Sequence, residues 1–547
     1  MQLTKTLLLF AGLSLACTTV APVEPPTVVI HNARVWPGLG QPLAEAIALR
    51  GPTVLAVGSS REMLALAGPD TKRVDAGGQL VTPAYREAHS HSDAPPFQPM
   101  GCLGAGFTAS PATLGGPTKA EVEACVRSSV ARYGPGVPLL GIVGDSYLRE
   151  PERGRAFLDP LSPNNPVILV TWSGHQLAAN SAALAMGGVH PRLTPDHPWG
   201  GWERDSSGEL TGVVNEYDQL RFHRLLGNSA PDSFYAGVYA AYDERAVQLG
   251  WTSVQSLPIS ISSDRERRVL AGMDLKLDWE TVCFPESESE PCEGYRTVKY
   301  LRSGTPVEWR TPMYEGYRDI PTWLPAGWRG IYNLDNAALA RVITRARESG
   351  QRVMLHVLGD EEADTSLEVV EALGAGGEDI RFEHGYLTTD AGYERAKAMG
   401  VTVVQEPTHT ILKPWYAGKY GPEVAAHAHP MRSLVDRGVR LAFATDAFGT
   451  PGDPRVLQVV ARTNPLGDPG EAVTPELALH LLTRAVAEAQ GHSDRGSLTP
   501  GQRADLLVHS VDLLAADAPV EADVVRLNMQ ASSPIWDDGS LTPAGGW

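Results

Sequence analysis

Apolar positions along this chain repeat with two different periods, and the switch between them outlines the architecture. Residues 27–36, 46–57 and 72–81 are short β-patterned runs separated by Gly and Pro turns, which predicts a small sheet. A matching run, 504–510, follows Gly496-Ser497-Leu498-Thr499-Pro500-Gly501, so both ends of the chain are expected to build one β-subdomain over 27–83 and 497–530. The middle alternates short apolar runs with amphipathic segments, the pattern of parallel strands joined by helices. Strands are predicted at 353–357, 380–384, 401–405 and 439–445, and helices at 361–373 and 390–399, the second stopping at Gly400. This βαβα series predicts an α/β fold: a (β/α)8 TIM barrel over 84–496 with a small β-sandwich-like subdomain formed by both termini. The interval from about 101 to 232 is richer in Gly and Pro and too long for one barrel connection, which predicts an inserted lobe. Residues 531–547 read as a C-terminal tail.

Composition narrows the function. The chain has 547 residues, 43% hydrophobic and 20% charged, enough to bury one large core and a smaller one. Its 46 basic and 64 acidic residues give a net charge of −18, which disfavours tracking a nucleic-acid backbone. No apolar stretch reaches the roughly 20 residues needed to cross a bilayer as a helix.

The first residues differ from the rest. Lys5 precedes an apolar run over 7–16, too short to span a membrane but suited to a signal-peptide core, so 1–16 is expected to be removed. Leu13-Ser14-Leu15-Ala16-Cys17 resembles a bacterial lipobox, which implies lipidation at Cys17, a tether over 17–26 and anchoring to the bacterial cell envelope. An ordinary cleaved signal with an incidental cysteine is the alternative. Cys102, Cys125, Cys283 and Cys292 remain, an even number in an exported chain. Three pairings are open; Cys102 with Cys125 and Cys283 with Cys292 are favoured because each closes a short loop.

Chemistry concentrates in five residues. His89 and His91 stand at alternate positions of an extended segment, so both imidazoles point the same way and can reach one metal ion. His356, His384 and Asp446 each end a predicted strand. The C-terminal strand ends of a (β/α)8 barrel open onto one face, so all five converge there. Singly, each could be a satisfied core histidine or a helix-capping aspartate; their joint placement argues for a site.

The order of the motifs resembles the amidohydrolase superfamily, in particular the family 3 branch that includes N-substituted formamide deformylases. The matching stretches are Gly174-His175 through Asn180-Ser181-Ala182-Ala183-Leu184, Arg204-Asp205-Ser206-Ser207-Gly208 through Thr211-Gly212 to Glu216, and Val298-Lys299. They continue with His356-Val357-Leu358-Gly359-Asp360, Arg381-Phe382-Glu383-His384, Pro407-Thr408-His409, Thr445-Asp446 and the run from Gly496 to Asp505. The resemblance implies metal ligation by His89, His91, His356, His384 and Asp446, with Lys299 as a candidate bridging ligand once carboxylated, because a carbamate offers oxygens where a protonated lysine offers only donors. It implies one or two divalent ions, zinc by default, and a small-molecule amide-type substrate, with Asp446 as the general base and acid. His175, Asn180, Glu216 and His409 are candidates for substrate contact or support of the ligands; an N-cap before Ser181 is the competing role for Asn180. Trp172, Trp309 and Trp415 read either as an apolar wall or as simple core. A homo-oligomer stays open.

The chain departs from the family pattern in three places: Ser303 stands before Gly304 where Asp is usual, Ser173 where an acid is common, and Glu406 where glutamine is usual. These changes bear on the substrate. A deaminase acting on an aminated heterocycle and a non-catalytic binding lipoprotein are the rival functions. The chain has no Gly-x-Ser-x-Gly elbow, phosphate loop or His-Glu-x-x-His helix, so other hydrolytic schemes find no support.

Overall fold

The computed structural model describes residues 24–103, 115–465, 467–543 and 545–547. Residues 1–16, Cys17 and all but the last three positions of the expected tether lie outside the described residues.

Eight strands carry the centre of the molecule: β1 Tyr85–His91, β2 Trp251–Ser256, β3 Asp278–Thr281, β4 Thr297–Leu301, β5 Arg352–Val357, β6 Ile380–His384, β7 Thr402–Gln405 and β8 Arg440–Phe443. They fall into two parallel groups. The first runs β3-β2-β1, with the short strand Ala447–Phe448 on the far side of β1; the second runs β4-β5-β6-β7-β8. A parallel bridge between Cys283 and Val298 links the groups at one margin, and Asp446 N–H donates to His89 C=O at 2.9 Å at the other. With helices such as Asn336–Glu348, Asp360–Ala372 and Asp390–Met399 between the strands, the arrangement is a TIM-barrel-like α/β fold.

Local signals explain these elements. Val353, Met354 and Leu355 of β5 are fully buried, and each such side chain contributes roughly 1.5–3 kcal/mol by leaving water. Asp335 caps the helix Asn336–Glu348 by accepting from Ala338 N–H at 2.7 Å. Gly400, at φ 69°, takes the left-handed C-cap that ends Asp390–Met399.

Between Gln98 and Asn215 lies a separate six-stranded sheet, ordered Gly200–Arg204, Leu210–Asn215, Gln176–Ala179, Val167–Thr171, Leu139–Val143 and Gln98–Pro99. Cys102 is bonded to Cys125 beside this sheet, and Cys283, just after β3, is bonded to Cys292. The two ends of the chain meet in two further sheets that share one apolar core, including Ile30, Ile47 and Val81 from one end and Leu506, Val508 and Leu527 from the other. Strand Leu80–Pro83 pairs directly with Leu506–His509. Residues 531–547, expected as a tail, instead contain the strand Ser533–Asp537, paired antiparallel to Val525–Gln530. Ala531 and Ser532, at φ 50° and 67°, form the tight two-residue turn between them. No described helix is long and apolar enough to cross a membrane.

Candidate metal centre and active site

The strand ends bring the sequence-predicted ligands together. β1 contributes His89 and His91, β4 Lys299, β5 His356 and β6 His384, while Asp446 follows β8. Ligand atoms of His89, His91 and Asp446 all lie within 4.8 Å of one another. Asp446 Oδ1 is 3.4 Å from His89 Nε2 and 3.3 Å from His91 Nε2. The His89 and His384 rings are 5.2 Å apart between centroids, and those of His384 and His356 are 4.6 Å apart.

What orients these rings is the partner of each Nδ1. His89 Nδ1 meets Glu383 Oε2 at 2.7 Å, His91 Nδ1 meets Leu257 C=O at 2.8 Å, and His384 Nδ1 meets Glu406 Oε2 at 2.9 Å. Each contact fixes a ring and leaves Nε2 for the centre, which is how metal-binding imidazoles are held. Glu383 is itself held by Arg381, whose Nε donates to its other oxygen at 2.6 Å. His356 Nε2 and Lys299 Nζ are buried without a hydrogen-bond partner, and such atoms are costly unless something binds them. This donor set fits a divalent cation.

Electrostatics agree. Burial pushes His89 and His356 well below the ordinary imidazole value and His384 down to about 3, so these rings stay neutral, the form that ligates. Burial also lowers Lys299 to about 8, against the pull of Glu383 and Asp446. For Asp446, burial works to raise the carboxyl, but the His91 hydrogen bond and the nearby His384 outweigh it and hold it well below the usual carboxylate range.

Backbone strain gathers here too. His384, Asp446 and Glu216 lie at φ 74°, 51° and 52°, in the left-handed region that side chains other than glycine rarely adopt. At Glu216 this turn starts the helix Glu216–Gly227 and buries the carboxylate, whose Oε2 lies 3.0 Å from His175 Nδ1 and accepts from Asn333 Nδ2 at 3.2 Å. Arg310 Nε is 3.3 Å from Oε1. The His175 ring then lies 4.6 Å from that of His356 and borders the reaction space. Gly304 faces the same carboxylate, and a Cβ there would overlap Glu216 Oε1 and lie 2.9 Å from Arg310 Cβ.

The remaining candidates separate. His409 lines the cavity beside the centre and contacts the Tyr386 hydroxyl through Nδ1. Asn180 does not line it: its Oδ1 accepts from Val167 and Ala183 N–H, and its Nδ2 donates to the carbonyls of Ser162 and Asn165. It is a buried N-cap that ties the lobe sheet to its helix, so its expected substrate contact is corrected to a structural one. Trp172 and Trp415 line the cavity, whereas Trp309 is fully buried behind it. Three contributors escape sequence reasoning. Glu383 stands in the quoted Arg381-to-His384 run with no role assigned, Phe448 stacks on His91 at 4.5 Å, and Leu257 acts only through its backbone, which leaves no trace in residue type.

Comparison with known proteins places this geometry in a family. The chain is 28% identical over 513 residues to the N-substituted formamide deformylase of Arthrobacter pascens, spanning 85% of this chain and 90% of that protein. It is 26% identical to a putative amidohydrolase of Bacillus subtilis, YtcJ, over 66% of this chain and 72% of that one. In fold it resembles an uncharacterised metal-dependent hydrolase of Pyrococcus furiosus, with a TM-score of 0.64 at 23% identity, covering 89% of this chain and all of the other. The amidohydrolase family profile matches residues 72–529, most of the chain, and the chain therefore belongs to the amidohydrolase family.

Proposed function

We propose that this protein is a metal-dependent hydrolase that cuts a carbon–nitrogen bond of the amide or formamide type in a small molecule, on a (β/α)8 barrel formed by β1 to β8. The single observation that carries the reading is the set of imidazoles anchored through Nδ1 to Glu383, Leu257 and Glu406 around Asp446. A binding scaffold has no need of such a set. The similarity to an N-substituted formamide deformylase, which aligns over 90% of its length, supports the same reading.

In this reading His89, His91, His356, His384 and Asp446 would hold one or two zinc ions, and Lys299, if its buried amine took up carbon dioxide with loss of a proton, would offer carbamate oxygens as further ligands. The bound metal supplies Lewis acidity towards water and towards the scissile carbonyl. Asp446, whose carboxyl is held below the usual carboxylate range and so is ionised at neutral pH, accepts the proton of the attacking water and returns it to the leaving nitrogen. His175, its Nδ1 facing Glu216, presents its other nitrogen to the substrate carbonyl. The deep burial of His89, His356 and Lys299 keeps bulk water from competing for these groups.

The test is metal analysis of the purified protein together with a panel of formamides, N-acyl amines, cyclic amides and aminated heterocycles, run beside His89→Ala. Amine release that disappears in the variant supports the reading. Ammonia from a heterocycle with no amide cleaved would make the protein a deaminase.

We place the protein at the bacterial cell envelope, anchored through Cys17. The reading is supported by the lipobox-like run that ends there and by the bonded pairs Cys102–Cys125 and Cys283–Cys292, which persist in oxidising compartments. Detergent-phase partitioning that is lost in Cys17→Ala checks it.

A further inference from the structure

A cavity of about 690 Å³ opens onto Asp446, His356 and His384. That is the size range of small-molecule sites, roughly 300–1,000 Å³. Its wall is made by Trp172, Leu412, Trp415, Tyr416, Phe448 and Val460. Trp172 and Trp415 meet edge to face with centroids 6.3 Å apart, and Phe448, stacked on His91, carries the apolar surface up to the reacting centre.

The charges are as informative as the apolar surface. Among the described residues no lysine or arginine lines this cavity, and Asp446 is its one carboxylate. The remaining polar lining is imidazole and hydroxyl, from His175, His409, Thr305, Thr408, Thr445 and Thr450 among others. Lys419 comes closest to being a cation for a ligand, but it lies behind the Trp415 ring at 4.7 Å and is already paired with Asp145. A carboxylate on the part of the substrate that lies against the Trp172, Leu412, Trp415 and Tyr416 wall, away from the metal ligands, would lose its water without gaining a lysine or arginine partner. The net charge of −18 also repels anions at a distance.

We propose that this cavity is the specificity pocket of the reaction described above: it selects an uncharged amide whose larger substituent is apolar and aromatic, and it rejects acylated amino acids and other carboxylates. This assignment rests on the carbon–nitrogen hydrolase reading. It also gives a use to the tryptophans that the metal chemistry leaves unexplained.

N-formylphenethylamine and N-formylphenylalanine test it, because they differ by one carboxylate. Calorimetric binding to the purified protein is measured alongside hydrolysis. The neutral member is expected to bind at least about a hundredfold more tightly and to show a similar advantage in kcat/KM. Trp415→Ala is expected to weaken the neutral ligand about tenfold. Val456→Lys puts a cation on the rim, at a position 48% exposed, and is expected to narrow the gap by about tenfold. Equal or tighter binding of the carboxylate overturns the assignment. Tight binding of the neutral amide without cleavage keeps the pocket and sinks the hydrolase reading, whereas cleavage of both compounds at similar efficiency does the reverse.

Discussion

Lys419 Nζ lies 2.6 Å from Asp145 Oδ1, and this pair joins two segments that are 274 residues apart. The ammonium is buried, 3.3 Å over the Trp309 ring and 4.7 Å from that of Trp415. Asp145 starts a short helix next to the lobe strand Leu139–Val143, whereas Lys419 lies one helical turn after Trp415. One cation therefore ties the lobe to the tryptophan wall of the cavity.

Burial draws Lys419 down to about 7 even though Asp145 pulls it up. Between that value and about 10.4 the unfolded chain carries the proton and the folded one does not, so this residue's contribution to stability rises with pH through that window and is flat below it. Urea denaturation of wild type and Lys419→Met should show it. The variant, which has no such titration, is expected to fall progressively behind wild type as pH rises from 7 towards 10, and a pH-independent difference would sink the assignment.

Glu383→Gln weakens the acceptor that fixes His89 and removes the charge that holds Arg381. Metal affinity should fall by about 10- to 100-fold, read by competition with a chromophoric chelator, while the secondary structure seen by circular dichroism stays the same.

Gly304→Ala should act at a distance from the metal. The added methyl displaces the Glu216 carboxylate and with it the orientation of His175. An expected loss of about 100-fold in kcat, with metal content unchanged, would separate this positioning effect from loss of the centre. Retention of full kcat would show that the dyad has no part in the reaction.

Asp446→Asn keeps the size of the side chain but removes the proton acceptor. The rate should drop by about 10²- to 10⁴-fold in kcat without a comparable change in KM.

Dialysis against a strong chelator should lower the thermal midpoint as well as abolish activity, since an ion that binds only the folded chain stabilises it. Adding zinc back should restore both; an unchanged midpoint would argue against a bound metal.

The convergence of the candidate ligands was legible because His356, His384 and Asp446 each stand at the end of a β-patterned run, the one before His384 being interrupted by Arg381 and Glu383, and a barrel sends every such run to one face. β1 was harder to read. Its sequence Tyr-Arg-Glu-Ala-His-Ser-His carries an arginine and a glutamate that are nonetheless buried, satisfied by Gln490 and Thr445 from far along the chain. β3 is a four-residue strand, half-buried throughout, with no apolar run to announce it. Asn180 stays open in sequence between a pocket role and an N-cap because a motif match says nothing about which way an amide points; the N-cap signal is the one that describes its surroundings. The cavity wall was legible in part: Trp172 and Trp415 were candidates for it and line the cavity, whereas Trp309 proves to be core behind it and Phe448 joins from a third segment that only the folded chain brings near.

The pairing of Leu80–Pro83 with Leu506–His509 has a consequence for biogenesis. The strand that leads into His89 and His91 has no neighbour on that side until residues more than four hundred positions later have left the ribosome. A nascent polypeptide stalled before that point exposes an unpaired edge just ahead of its first two histidines. Truncated products are thereby left open to edge-to-edge association and proteolysis.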